Sequence, residues 1–424
     1  MESVKRRELF KSAAASASLL AAAAVAAPAE ESPDWNRVRE DFPWIRKRLW
    51  LTAADYHPIG VHSLAAMERH LRYRANGEGE GSSPFGAQEL ETKRHFGRLI
   101  NAKPEEIAFV PSTTEGENLV IAGMRLGEPK GNVVIDDLHY QASKYMYRML
   151  EQEGRIELRI VRLSEKDGCW TVRAEDMASA MDKNTKLVSL ALVSNINGYL
   201  HDVRRISDAA HSYGAYLYAD IIQAAGATPI DVRTMGIDCA ACGAYKWLMG
   251  DFGFGFLYVR EDLQERIVRR SRYGVRQYTS LNNTQTDSQF KIRPGAVQYE
   301  TGSFSYSGGT CVHAALEYIH KLGVPNIRAH TKQLTARLQK ELPRMGYPPI
   351  TPPDNDTPIV SFRLPEYAKT AAKLNKAFQG TVVALRRWEF SESEGKVRIV
   401  PGMRISPSVY NNQSDIDRLL EALA

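Results

Sequence analysis

The stretch that most limits the fold is Lys186-Leu-Val-Ser-Leu-Ala-Leu-Val-Ser-Asn-Ile-Asn-Gly198. A strand with one face in water alternates apolar and polar residues; this one does not, so both faces need cover, as in a buried parallel strand. Similar runs occur at Gly131–Asp136, Ala215–Asp220 and Phe254–Val259, and Val203 to Gly214 between them has a helical pattern closed by glycine. Alternation of strand and helix from 107 to 259 predicts an α/β fold with a largely parallel sheet, whose active groups gather at the carboxyl ends of the strands. A chain of 424 residues suits one large and one smaller domain.

Two strand ends carry chemistry. Ala215-Tyr-Leu-Tyr-Ala-Asp220 ends in a carboxylate, followed by Gln223 and small residues. Gly243-Ala-Tyr-Lys246-Trp-Leu-Met-Gly250 sets one lysine among apolar and aromatic neighbours, with a glycine-rich turn behind it. A lysine in such surroundings loses part of its preference for the charged form, which suits a Schiff-base nucleophile. An aspartate that can pair with a protonated pyridine nitrogen is the usual companion of a pyridoxal phosphate lysine.

Asp220 with Gln223, then Lys246 before Trp-Leu-x-Gly, resembles the class V aminotransferase family, the cysteine-desulfurase and isopenicillin-N-epimerase-like group of fold type I pyridoxal phosphate enzymes. The resemblance runs from about residue 48 to the C-terminus. It implies a large domain with a mostly parallel, seven-stranded-type sheet at 61–322 and a smaller C-terminal α+β domain at 323–424, with an N-terminal arm at 30–60. It also implies pyridoxal phosphate as cofactor. Ser112, Thr113 and Thr114 open a helix after a short strand, and hydroxyls and N–H groups at a helix N-terminus hold anions; Thr113 and Thr114 match the family's phosphate residues, while Ser112 replaces a glycine. The family stacks an aromatic ring on the pyridine, here Tyr140 or His139. Asn195 matches an asparagine near the cofactor's phenolic oxygen. Tyr245 stands where a histidine often precedes the lysine, and Gly243 where many members have a phosphate-binding serine. Gly302-Ser303 stands in the place of a Gly-Thr whose hydroxyl reaches the neighbouring subunit's phosphate, so Ser303 implies a homodimer with shared active sites. Arg404, in Arg-x-Ser…Tyr-Asn, would grip a substrate carboxylate bidentately. Cysteine desulfurases carry a cysteine on a C-terminal loop, but Ala384 to Gly395 has none, nor does any position after Cys311.

The ends and loops add less. Lys5-Arg6-Arg7 precedes an alanine-rich run from Ser12 to Ala27, which reads as a twin-arginine (Tat) export signal over 1–29. The run is shorter than the ~20 residues that span a bilayer, so no stable membrane anchor is expected, and the expected address is periplasmic or secreted, by way of the Tat machinery. A formal net charge of +5 is too mild to point to nucleic acid. Cys169, Cys239, Cys242 and Cys311 are no disulfide framework; Cys239-Ala-Ala-Cys242 has redox spacing but lies where cysteine packs as a small hydrophobe. No cluster has zinc-ligand spacing, so no metal is expected. In the family the stretch holding Asp55, Tyr56 and His57 borders the active-site mouth, so the three are candidate substrate contacts, with loop polarity the favoured reading of any single one. A charged helix is expected at Glu261–Arg272, an irregular loop at 273–297, and strands at 381–386 and 397–400.

The expected activity is that of an exported pyridoxal phosphate enzyme at the Cα of an amino acid or amine-terminal peptide, through Lys246 and Asp220. Transamination, epimerisation, elimination and oxidative tailoring, as in exported siderophore-tailoring relatives, share this apparatus. The alternatives are a C–S lyase or desulfurase-type enzyme and a non-catalytic protein of the same fold.

Overall fold

Seven strands make the central sheet: β1 (Ile107–Val110), β2 (Asn132–Asp136), β3 (Glu157–Val161), β4 (Thr185–Ala191), β5 (Tyr216–Asp220), β6 (Cys239–Gly243) and β7 (Gly255–Val259). This computed structural model describes residues 32–79, 84–280, 289–378, 380–391 and 396–424. The expected export signal at 1–29 lies outside them, and the architecture below is that of the compact unit Trp35–Ala424. The strand order is β1-β7-β6-β5-β4-β2-β3. Neighbours from β3 through β6 are parallel, and only β7 runs antiparallel, to both β6 and β1. The mostly parallel α/β sheet expected from the apolar runs is therefore present, and every residue of β2, β6 and β7 is buried.

Small residues bring one helix close to this sheet. Helix α1 (Thr113–Gly123) starts at Ser112, whose hydroxyl accepts the Glu115 N–H at 3.1 Å. A Cβ on Gly116 would lie 2.6 Å from the Ala241 Cβ, so glycine here lets α1 rest directly on β6. The N-terminus of α1 thus sits beside the chain leaving β6 toward Lys246.

A second sheet, antiparallel throughout, holds β8 (Val360–Arg363), β9 (Ala384–Ser391) and β10 (Val397–Ile405) in the order β8-β10-β9. Leu334, Leu338, Phe362, Met403, Ile416 and Leu419 form its core, which Leu49 and Leu51 join from the N-terminal segment. That segment is tied down further by the Thr52–Ser406 bridge and by Arg39 on Asp415 at 2.7 Å.

Three local expectations are corrected. Only Glu261–Leu263 is helical, as one 3-10 turn, within the expected helix 261–272. Leu263 and Val268 are both buried, and the Ile267 and Val268 N–H groups both bond the Leu263 carbonyl; the chain folds back to bury both side chains. The irregular stretch contains a two-stranded ribbon, Tyr278–Ser280 against Phe290–Ile292, though 281–288 lie outside the described residues. The strand expected at 381–386 runs over Ala384–Ser391 because it pairs along nearly all of β10.

Candidate active site

Lys246 follows β6 and is nearly buried, with 8% of its surface exposed. Burial and the Arg404 charge push its ammonium down to about 8, against the pull of Asp220 and Asp55. Asp220 ends β5 and is 4% exposed. Burial pushes its carboxyl up to about 6, although the Ile222 N–H bonds Oδ1 at 2.9 Å and the Lys246 charge favours the ionised form. A nucleophile with a lowered pKa and an acid with a raised one therefore face the same space.

That space has an inner and an outer compartment. The inner cavity, about 60 Å³, is walled by Ser112, Thr113 and Thr114 at the α1 N-terminus, by Asp220 and Gln223, and by Lys246. The outer, about 350 Å³, is bounded by Asp55, His139, Lys144, Arg386, Trp388 and Arg404. Tyr140, Asn195, Tyr245 and Lys246 border both.

The structure brings together every site residue expected from sequence except Ser303. The Thr113 hydroxyl accepts the Gly243 N–H at 2.9 Å, so its own proton remains available in the cavity. Gln223 is bound on both ends of its amide, Nε2 to the Ala54 carbonyl at 3.0 Å and Oε1 from Trp247 Nε1 at 2.9 Å. Tyr245 stacks on Phe252, centroids 4.4 Å apart; burial pushes its hydroxyl up to about 12, so it stays protonated. Asn195 Oδ1 is buried without a hydrogen-bond partner among the described residues. Ser303 lines a separate cavity with Pro111, Glu115 and Arg272.

The two candidates for the stacking ring differ. Tyr140 is partly exposed and borders both compartments. His139 is fully buried; its Nδ1 accepts the Tyr140 N–H at 2.8 Å, and its Nε2 meets Ser189 Oγ at 2.9 Å. Ser189 donates to Glu117 at 3.0 Å, and Glu117 also accepts from Ser143 at 2.6 Å and Tyr147 at 2.9 Å. With Nδ1 accepting and Ser189 donating onward, the imidazole proton lies on Nε2, and the ring cannot flip without breaking the chain. Sequence reading missed Glu117; its only signal there was a carboxylate facing inward on a helix of otherwise small and apolar buried residues.

Arg404, on β10, is 3% exposed. Its Nη1 donates to the Asn195 carbonyl at 2.7 Å, its Nη2 donates to Asp55, and its Nε has no partner among the described residues. Arg386 pairs across the sheet with Gly402, two residues from Arg404, so the two guanidinium groups share one face. A Cβ on Gly402 would fall 1.9 Å from the Trp388 ring; glycine there lets Trp388 lie across the strand as a wall. Asp55 thus belongs to the outer compartment and not to plain loop polarity, whereas His57 is buried between the Pro58 carbonyl and Ser408.

Two further expectations bear on chemistry. All four cysteines are free and buried, and none borders either compartment. His95, His313 and Glu317, on two packed helices, do place three donor atoms within 4.8 Å of one another, a grouping that spacing along one segment cannot reveal. The Arg98 guanidinium already donates to His95 Nδ1 there at 2.7 Å.

The residues around the inner compartment, which opens past Tyr140, Asn195, Tyr245 and Lys246 to the outer one, suit the chemistry of pyridoxal phosphate. A helix N-terminus with two hydroxyls suits its phosphate, a buried carboxyl of raised pKa lacks the cation that a protonated pyridine nitrogen supplies, and a lysine poised near neutral pH suits its aldehyde. Comparison with known proteins agrees. A protein of Methanothermobacter thermautotrophicus described as a probable cysteine desulfurase is 28% identical over 402 residues, 91% of this chain and 96% of that one. A cysteine desulfurase of Shigella sonnei is 27% identical over 407 residues, 92% and 97% of the two chains. The apo structure of a cysteine desulfurase from Thermococcus onnurineus NA1 superposes with a TM-score of 0.76 at 23% identity, covering 91% of this chain and 96% of that one. A mutant of C-DES with glycine covalently linked to its PLP cofactor gives 0.78 at 17% identity, covering 92% and 99%. The family model described as Aminotransferase class-V matches residues 64–419, so this chain, with its buried lysine and strand-end aspartate, belongs to the class-V aminotransferase family.

Proposed function

We propose that this chain is an exported pyridoxal phosphate enzyme acting at the Cα of an amino acid or amine-terminal peptide. The observation that carries the reading is Lys246, buried with a pKa near 8 between Asp220 on one side and Arg404 on the other. When bound, pyridoxal phosphate supplies the electron sink that a Cα carbanion needs. Lys246 would hold the cofactor aldehyde, and its neutral amine is the group placed to take or return the proton at Cα. Asp220 would pair with the pyridine nitrogen and favour its protonated form. Thr113, Thr114 and the α1 N–H groups hold the phosphate, and His139 and Tyr140 bound the ring. Arg404 orients the substrate by its carboxylate. Ser303, which lines a cavity separate from the one around Lys246, is assigned to the phosphate of a second copy in a homodimer. Lys5-Arg6-Arg7 and the alanine-rich run after it support delivery by the Tat route, which carries folded proteins.

A second reading, cysteine desulfuration, is favoured by the names of the relatives. A persulfide on the enzyme's own sulfur is disfavoured by four buried cysteines outside both compartments; sulfide release from cysteine does not need one. The test is the absorbance spectrum of the mature protein from ~300 to 500 nm, before and after a panel of amino acids and amine-bearing peptides. A borohydride-sensitive band in wild type that is absent from Lys246→Ala is expected, and the ligand that shifts it identifies the substrate class. A Lys246→Ala protein that still carries out the wild-type reaction would sink the proposal.

A further inference from the structure

We propose that Asp55 is an internal stand-in for the substrate carboxylate, and so sets how much an incoming acid group gains at Arg404. The inference rests on the reading of Arg404 as the carboxylate grip. Asp55 makes the contacts a bound carboxylate would make: one oxygen, Oδ1, takes both Arg404 Nη2 and Arg386 Nη2, the latter at 2.6 Å, while Oδ2 takes the Thr52 hydroxyl at 2.9 Å.

The two partners are not equally free to move. The Arg404 side chain is 3% exposed against 28% for Asp55, and Arg404 is pinned through Nη1 to the Asn195 carbonyl. The backbone around Asp55 is fixed as well, by Ala54 N–H on Ser406 Oγ at 3.1 Å and Asp55 N–H on the Thr52 carbonyl. Only the Asp55 side chain is left to rotate, and Arg386, 41% exposed, is already bonded to the oxygen that would leave Arg404.

Asp55 also fills its place incompletely. Arg404 presents Nε–H and Nη2–H along one edge, the edge that takes a carboxylate with two parallel bonds. Asp55 engages Nη2 alone, and Nε, although buried, has no partner among the described residues. A ligand carboxylate placed there satisfies both donors, and Asp55 retains Arg386 and Thr52. The exchange leaves the number of charges on Arg404 unchanged, so a carboxylate gains only the difference between two hydrogen bonds and one. An uncharged group in the same position cannot displace Asp55.

The test is calorimetric titration of the cofactor-loaded protein with acetate and with succinate, using acetamide as the uncharged control. Asp55→Asn removes the competing charge and is expected to bind both acids on the order of tenfold more tightly, with acetamide unchanged. Arg386→Gln removes the second holder of Asp55 and is expected to bind them several-fold more weakly. Equal or weaker binding by Asp55→Asn, no binding by either protein, or unchanged or tighter binding by Arg386→Gln overturns the inference. The cofactor band is read on the same samples: its absence from wild type counts against the pyridoxal phosphate reading, whereas a normal band without the affinity change counts against Asp55 alone.

Discussion

The inner and outer compartments are built on different supports. Thr113, Thr114, Asp220 and Lys246 all leave strands of one sheet within residues 107–259, and buried backbone holds them. Asp55, Arg386 and Arg404 come from an N-terminal segment and two strands of the second sheet, and they hold one another by charge. Burial fixes positions and shifts pKa values; ion pairing at a partly exposed wall leaves a partner that can be exchanged. The reacting groups sit on the first kind of support and the groups that select a ligand on the second.

Substitutions can test whether that division is real. The largest effect is expected from Asp220→Asn, which keeps the shape and removes the charge: kcat should fall on the order of a hundredfold or more, with a much smaller change in KM. A KM change of similar size in steady-state kinetics would mean that the compartments do not act separately. Arg404→Lys should do the reverse, raising KM for a carboxylate substrate about tenfold through loss of the two-bond grip while the cofactor band stays in place. The titration of Lys246 gives a third check. Its folded pKa lies below the ordinary lysine value, at about 8, and the neutral amine is the nucleophile. Cofactor uptake by the cofactor-free protein, followed by stopped-flow absorbance, should therefore quicken about tenfold per pH unit below 8 and level off above it. The smallest effect is expected from Glu117→Gln. An amide cannot accept all three hydroxyls that Glu117 now holds, so His139 loosens and cofactor affinity should drop several-fold, with little change in acetate binding by the loaded protein.

The same division explains how much could be read from the chain. The sheet and most of the inner compartment were legible because each residue stands near the end of an apolar run, and an unbroken apolar run is visible in the sequence without any knowledge of its neighbours. Lys246, Asp220 and Thr113 needed no knowledge of distant contacts. Asp55 did: its place at the mouth was expected, but its partner Arg404 lies 349 positions away, and nothing local marks an aspartate in a loop as one half of an ion pair. Glu117 was hidden because its three donors come from a neighbouring helix and strand. The helix expected at Glu261–Arg272 failed because charge pattern alone favoured it, while the burial of Leu263 and Val268 decided the backbone.

The joining of residues 50–57 to the end of β10 and the segment after it also bears on the order of assembly. Asp55 leaves the ribosome 349 residues before the arginine it meets, whereas every strand of the large sheet has been made by Val259. During synthesis the cofactor pocket can therefore take shape first, and the pocket for the acid group closes only when the last part of the chain arrives.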